Sequence, residues 1–98
     1  MINLSSKQLE ILSDVLKIHT TKAQEVYAYG SRVKKTNEKF SDIDLLVVGN
    51  KLPDNELLQL KEAFSESDLP FFVDIHNRED IDEHFYQMIK PSLELIEL

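Results

Sequence analysis

Two short apolar runs constrain this 98-residue chain more than any other feature, because each carries acid where a buried strand should carry none. One is Asp42-Ile43-Asp44-Leu45-Leu46-Val47-Val48 and the other is Phe71-Phe72-Val73-Asp74-Ile75. Both are rich in β-branched and aromatic residues. Gly49-Asn50 ends the first, and Pro70 precedes the second. In a strand, residues two apart point to the same side, roughly 6.6 Å apart along the chain. Asp42 and Asp44 therefore share one face, while Ile43, Leu45 and Val47 share the other. By the same alternation Asp74 points away from Val73 and Ile75, together with Phe72 and His76. Neighbouring strands lie about 4.8 Å apart. Pairing these two runs predicts three carboxylates on one small patch.

The rest of the chain supplies elements to support such a sheet. Ser5 and Gln8 form a capping-box pattern, followed by Leu9, Leu12 and Leu16 and by Ile11, Val15 and Ile18 at helical spacing. This predicts a helix over 6–19. Glu25 to Tyr29 reads as a strand that stops at Gly30. Asp54 opens a second helix with Leu57, Leu60 and Phe64 on one face. Asn77 is expected to cap a last helix whose apolar stripe is Ile81, Phe85, Met88 and Ile89, stopped by Pro91. The tail from Leu93 to Leu98 fits neither period. This order predicts an α/β (α+β) fold in a single domain over 1–98. Its small sheet would carry helices mainly on one face, leaving the other free for chemistry.

Composition narrows the chemistry. With no cysteine, disulfides and thiolate metal sites are excluded. No apolar run approaches membrane-spanning length and no signal pattern opens the chain, so the expected compartment is cytoplasmic, without a membrane partner. A net charge of −7 argues against direct nucleic-acid binding by bulk electrostatics. The charge is uneven, with a balance of +3 over 1–41 and −10 over 42–98. Arg32, Lys34, Lys35 and Lys39 crowd between Gly30-Ser31 and the paired aspartates. Such a run is usually a solvated loop. Here its placement also suits phosphate or a partner surface.

Crowded carboxylates raise one another's pKa, and divalent cations relieve the repulsion. Carboxylate oxygens are ligands that magnesium prefers, with water and substrate phosphates completing its shell. Two such ions can clamp the attacking and leaving oxygens of a displacement at phosphorus. A glycine after a strand lets backbone approach a ligand closely, and Ser31 adds a hydroxyl. Singly, each feature is ordinary: Gly-Ser a turn, Asp-x-Asp a surface loop or cap, Asp74 an edge charge. Their coincidence is what ordinary packing does not explain. Asp80, Asp82 and Glu83 suit a helix N-terminus and are not counted as metal ligands. His19 and His84 read as structural or solvated. Tyr27 and Tyr29 flank the site strand, where one could stack on a base, though core packing is favoured. His76 shares a face with Asp74 and could approach the nucleotide or the acceptor, though a half-exposed strand residue is favoured.

Gly30-Ser31, ten residues, then Asp42-Ile43-Asp44 resembles the signature of the minimal nucleotidyltransferases of the DNA polymerase β superfamily. Leu45 to Val48 and Leu69-Pro70-Phe71-Phe72-Val73-Asp74-Ile75 are similar to that family as well. The resemblance runs from the first helix to about Ile89. It implies a palm-like sheet and two Mg2+ ions, for which Mn2+ can substitute, with ATP as the usual donor. By position it implies that Gly30, Ser31 and Arg32 hold the nucleotide and that Asp42 and Asp44 bind both metals. Asp74 would complete the catalytic metal site and help deprotonate the acceptor. Val33-Lys34-Lys35 departs from the small residue and glycine that often follow Gly-Ser-Arg in the family.

The chain has no room for an acceptor-binding domain, so the acceptor is expected on another protein, in a hetero-complex or oligomer. The resemblance implies a small helical HEPN toxin, a tyrosine of which receives AMP while this chain acts as antitoxin. The alternative is a binding antitoxin or assembly subunit that masks its partner without catalysis. Transfer to a small molecule such as an aminoglycoside is weakened by the missing second domain.

Overall fold

A computed structural model describes residues 2–30 and 41–98. Helix α1 spans Ser6–His19 and opens with the expected capping box: Gln8 N–H donates to Ser5 Oγ at 3.1 Å, and Ser5 N–H to Gln8 Oε1 at 3.0 Å. Strand β1 covers Gln24–Tyr29 and β2 covers Ile43–Gly49. Helix α2 (Asp54–Glu66) leads to β3 (Val73–Asn77), and α3 (Glu83–Ile89) to β4 (Glu94–Leu95). Short 3-10 turns at Arg78–Asp80 and Lys90–Ser92 flank α3.

The strands form one sheet in the order β3-β2-β1-β4. β1 runs antiparallel to β2 and β4, and β2 runs parallel to β3, so the sheet is mixed. Helix α2 is the crossover that a parallel β2–β3 pair requires. The core forms where the apolar alternates of three strands meet two helical stripes. Val26 and Ala28 of β1, Ile43, Leu45 and Val47 of β2, and Val73 and Ile75 of β3 close on Leu12 and Leu16 of α1 and Leu60 and Phe64 of α2. The expected apolar faces of α2 and of both aspartate-bearing strands are the observed ones, whereas of the expected α1 residues Leu12 and Leu16 are buried and Leu9 and Ile18 are exposed.

The last third departs from expectation. Asn77 does not cap the final helix. It is buried, accepting from Leu52 N–H at 3.0 Å and donating to the Leu52 carbonyl at 3.0 Å, which ties the end of β3 to the chain entering α2. A side chain locked in that two-way bridge is unavailable as a cap. Asp82 takes the role, accepting from Phe85 N–H at 3.2 Å. α3 is correspondingly shorter than expected and buries none of its residues, with Met88 largely exposed. Phe71 and Phe72 precede β3 rather than belong to it. The untyped tail supplies an edge strand, Leu95 pairing with Tyr27 and Glu94 with Ala28. Its two paired residues are too few to show a period.

Candidate active site

β2 is the hinge of the site, because it touches both partners that matter. Asp44 is the register partner of Tyr29 on β1 and of Asp74 on β3. Residues paired across strands project to the same side. Asp44 and Asp74 therefore stand side by side on the sheet face opposite the core. Asp42, two residues ahead of Asp44, is exposed just before β2 begins. The register sets Asp44 beside Asp74, and Asp42 is near enough for its charge to act on Asp44.

The charges are felt. Partial burial pushes the Asp44 carboxyl above its usual range, Asp74 and then Asp42 push it further, and His76 opposes them. Nε2 of His76 lies 3.0 Å from Oδ1 of Asp74, each side chain about 40% exposed. On the other side of Asp44, Tyr29 is buried on the acidic face and not in the main core cluster. Desolvation, and secondarily Asp44 and Asp74, push its phenol up to about 12. Phe85 of α3 meets the Tyr29 ring edge-on, with centroids 5.9 Å apart. The third helix thus covers part of the face that was expected to be free.

Gly30 ends β1 at φ +85°, in the left-handed region. A Cβ built there would sit 2.4 Å from Oδ2 of Asp44. Only glycine lets this turn press against the carboxylate. Ser31 and Arg32, expected to hold the nucleotide with Gly30, lie outside the described residues, as do Lys34, Lys35 and Lys39. Asp80 pairs with Lys51 at 2.6 Å, and Glu83 pairs with Arg78, whose guanidinium also lies over the Tyr86 ring at 3.7 Å. With Asp82 a cap, none of these three acids belongs to the cluster. His19 lies 3.7 Å from Glu56, and His84 is exposed.

Two features go further than the sequence reading. The register opposite Asp44 sets Tyr29 beside the acids, and His76, on the face of Asp74 as alternation implies, comes within 3.0 Å of its carboxylate. Among the described residues, no three acidic or imidazole side chains are already disposed to hold a metal ion. The donor set nevertheless suits a hard cation: carboxylates that repel one another around the raised Asp44 would be relieved by it.

The nucleotidyltransferase domain family matches residues 6–95, from the first helix to the edge strand. The chain is 40% identical over 101 residues to the probable protein adenylyltransferase MntA of Haemophilus influenzae, across 95% of this chain and 88% of that protein. This chain belongs to the nucleotidyltransferase family. Solved structures show the same fold at lower identity. A chain of a toxin–antitoxin crystal structure with AMP-PNP superposes with a TM-score of 0.75 at 21% identity, over 91% of this chain and 72% of the other. A chain from a complex of the tri-AMPylated Shewanella oneidensis HEPN toxin with its MNT antitoxin gives 0.71 at 18%, over 96% and 72%. In this nucleotidyltransferase, Asp44 and Asp74 lie on the sheet face away from α1 and α2. No helix among the described residues is long and apolar enough to cross a membrane.

Proposed function

We propose that this nucleotidyltransferase transfers AMP from ATP to a hydroxyl of a partner protein, a tyrosine of a small helical HEPN toxin, and so acts as an antitoxin. The observation that carries the reading is the juxtaposition of Asp44 and Asp74 as direct register partners on an open sheet face, with Asp42 two residues away. The partner and the acceptor rest on the MntA relative, a probable protein adenylyltransferase, and on the likeness in fold to chains of toxin–antitoxin complexes.

In the reaction, the acceptor oxygen attacks the α-phosphorus of ATP. A new P–O bond forms, the bond to the β-phosphate bridge oxygen breaks, and pyrophosphate leaves. In this reading Asp74 takes the hydroxyl proton. Asp42, Asp44 and Asp74 would hold two divalent cations, Mg2+ or Mn2+, which supply Lewis-acid stabilisation of the charge spreading over the phosphates. Gly30 gives the turn its close approach, and Ser31 and Arg32 are assigned to the triphosphate by their place in the motif. The burial of Tyr29 beneath Phe85 walls one side of Asp44 from water, which strengthens electrostatic interactions there.

The rival reading is a chain that masks its partner without chemistry. A pure binder gains nothing from a carboxyl such as Asp44, whose ionisation is disfavoured by burial and by its acidic neighbours. Intact mass of a co-expressed partner distinguishes the two. The transferase reading expects increments of one or more AMP units with the wild-type chain and none with Asp42→Asn/Asp44→Asn. A variant that leaves the partner unmodified yet neutralises it fully would establish the binder.

A further inference from the structure

Asp74 differs from Asp44 in its support. It stands on β3, which among the described residues is an outer strand with its strand neighbour on the β2 side. About 40% exposed, its carboxyl has room to swing. The catalytic role assigned to it demands the opposite, since a ligand or base must be held in one orientation to act.

His76 meets that demand. It is two residues along the same strand, so the backbone fixes it on the same face. Its register partner on β2 is Leu46, a fully buried residue. The next residue, Asn77, is anchored by its two-way bridge to Leu52, which holds this end of β3 in place. Nε2 then lies 3.0 Å from Oδ1. A pair this exposed contributes little to fold stability. Its effect is directional: it engages one oxygen and leaves Oδ2 to the reacting groups.

We propose that His76 is a positioning residue for nucleotidyl transfer, its Nε2 holding Asp74 through Oδ1 so that the carboxylate keeps one orientation. The proposal rests on the reading that Asp74 takes part in the transfer. Partners that orient ligating side chains typically matter 10- to 100-fold, roughly, in metal affinity or activity.

The test uses the full chain labelled with 15N, together with His76→Leu and His76→Gln. The ring-nitrogen resonances of His76 should differ between the wild type and Asp74→Asn. Mn2+ binding, measured by calorimetry with a non-hydrolysable ATP analogue, should weaken about 10- to 100-fold in His76→Leu. Its kcat should fall over the same range, with KM for ATP little changed. Glutamine, whose amide nitrogen reaches near the place of Nε2, should recover most of both losses. Identical ring spectra in the wild type and Asp74→Asn would overturn the proposal. So would wild-type Mn2+ binding and kcat in His76→Leu, or a glutamine variant as impaired as the leucine one. Should His76→Leu not fold, the spectra and the glutamine variant still decide. Failure of the transferase reading looks different, as a wild-type chain that leaves ATP and partner unmodified, and it takes the proposal with it.

Discussion

The two faces of the sheet use alternate residues of the same strands and behave in opposite ways. On the inner face Val26, Ala28, Ile43, Leu45, Val47, Val73 and Ile75 are all buried against α1 and α2. On the outer face Asp44, Asp74 and His76 stay half-exposed, and the short α3 offers Phe85 to Tyr29 without burying a residue of its own. The inner face gains from removing apolar area from water. The outer face holds like charges together at a cost, and the inner face keeps the backbone rigid enough to bear it. Stability and chemistry are thus separated by one residue of register, since a slip of one would exchange the faces.

Adjacent substitutions on β2 sharpen that contrast. Asp44→Asn should lower the rate of AMP transfer by at least about 100-fold, as losses of electrostatic stabilisation do. Its thermal midpoint should stay or rise, because a carboxyl raised by burial and by its neighbours is gone. Leu45→Ala, next in sequence and fully buried, should cost about 2–5 kcal/mol in denaturant unfolding while sparing the rate per folded molecule. Equal stability losses at the two positions would break the comparison between the faces.

The inner face was the easier half to read. Leu12 and Leu16, Leu60 and Phe64, and the alternates of β2 all show their period in the sequence, and burial follows from it. The three aspartates were legible for the same reason, since alternation alone sends Asp42, Asp44 and Asp74 to one side. What escaped depends on pairing rather than period. Tyr29 is buried, as core packing implies, but only its register opposite Asp44 reveals that it packs among the acids. Asn77 looks like a cap in sequence. Only the approach of Leu52, 25 residues away, turns it into a buried bridge. His76 needed a distance.

Gly30 joins the faces at the end of β1, and it tests how tightly the outer one is built. Gly30→Ala meets two obstacles: a φ of +85° and a Cβ 2.4 Å from Oδ2 of Asp44. The left-handed backbone alone costs an alanine roughly 1–2 kcal/mol. The clash falls on the end of the Asp44 side chain, which moves to relieve it. Stability should therefore fall by about that amount, and transfer should fall by more than the stability loss explains. Calorimetric unfolding and steady-state transfer on the same preparation check both. A variant with lower stability and a full rate would show that Asp44 tolerates displacement.

The smallest effect is one of pH and isolates the charge cluster from everything else. Asp44 is raised in the folded protein by burial and by Asp74 and Asp42, with His76 opposing; unfolded, it returns to about 3.9. Below the unfolded value both states are protonated and the site contributes nothing. As pH rises through the window up to the folded value, the native state holds more protons than the unfolded one, so the free energy of unfolding falls with pH. Above that window the loss is complete and constant. Asp80 and Glu83, lowered by Lys51 and Asn77 and by Gln87 and Arg78 respectively, bend the raw curve the other way. They are common to wild type and Asp44→Asn, so the difference between the two proteins is the quantity to follow. Without divalent cations, the advantage of Asp44→Asn should grow from about pH 4 upward and then level off. Added Mg2+ should shrink it at the plateau, because cation binding favours the wild-type native state. A difference that stays flat between about pH 4 and 8, or declines as pH rises, would mean that the outer face carries its three carboxylates without strain.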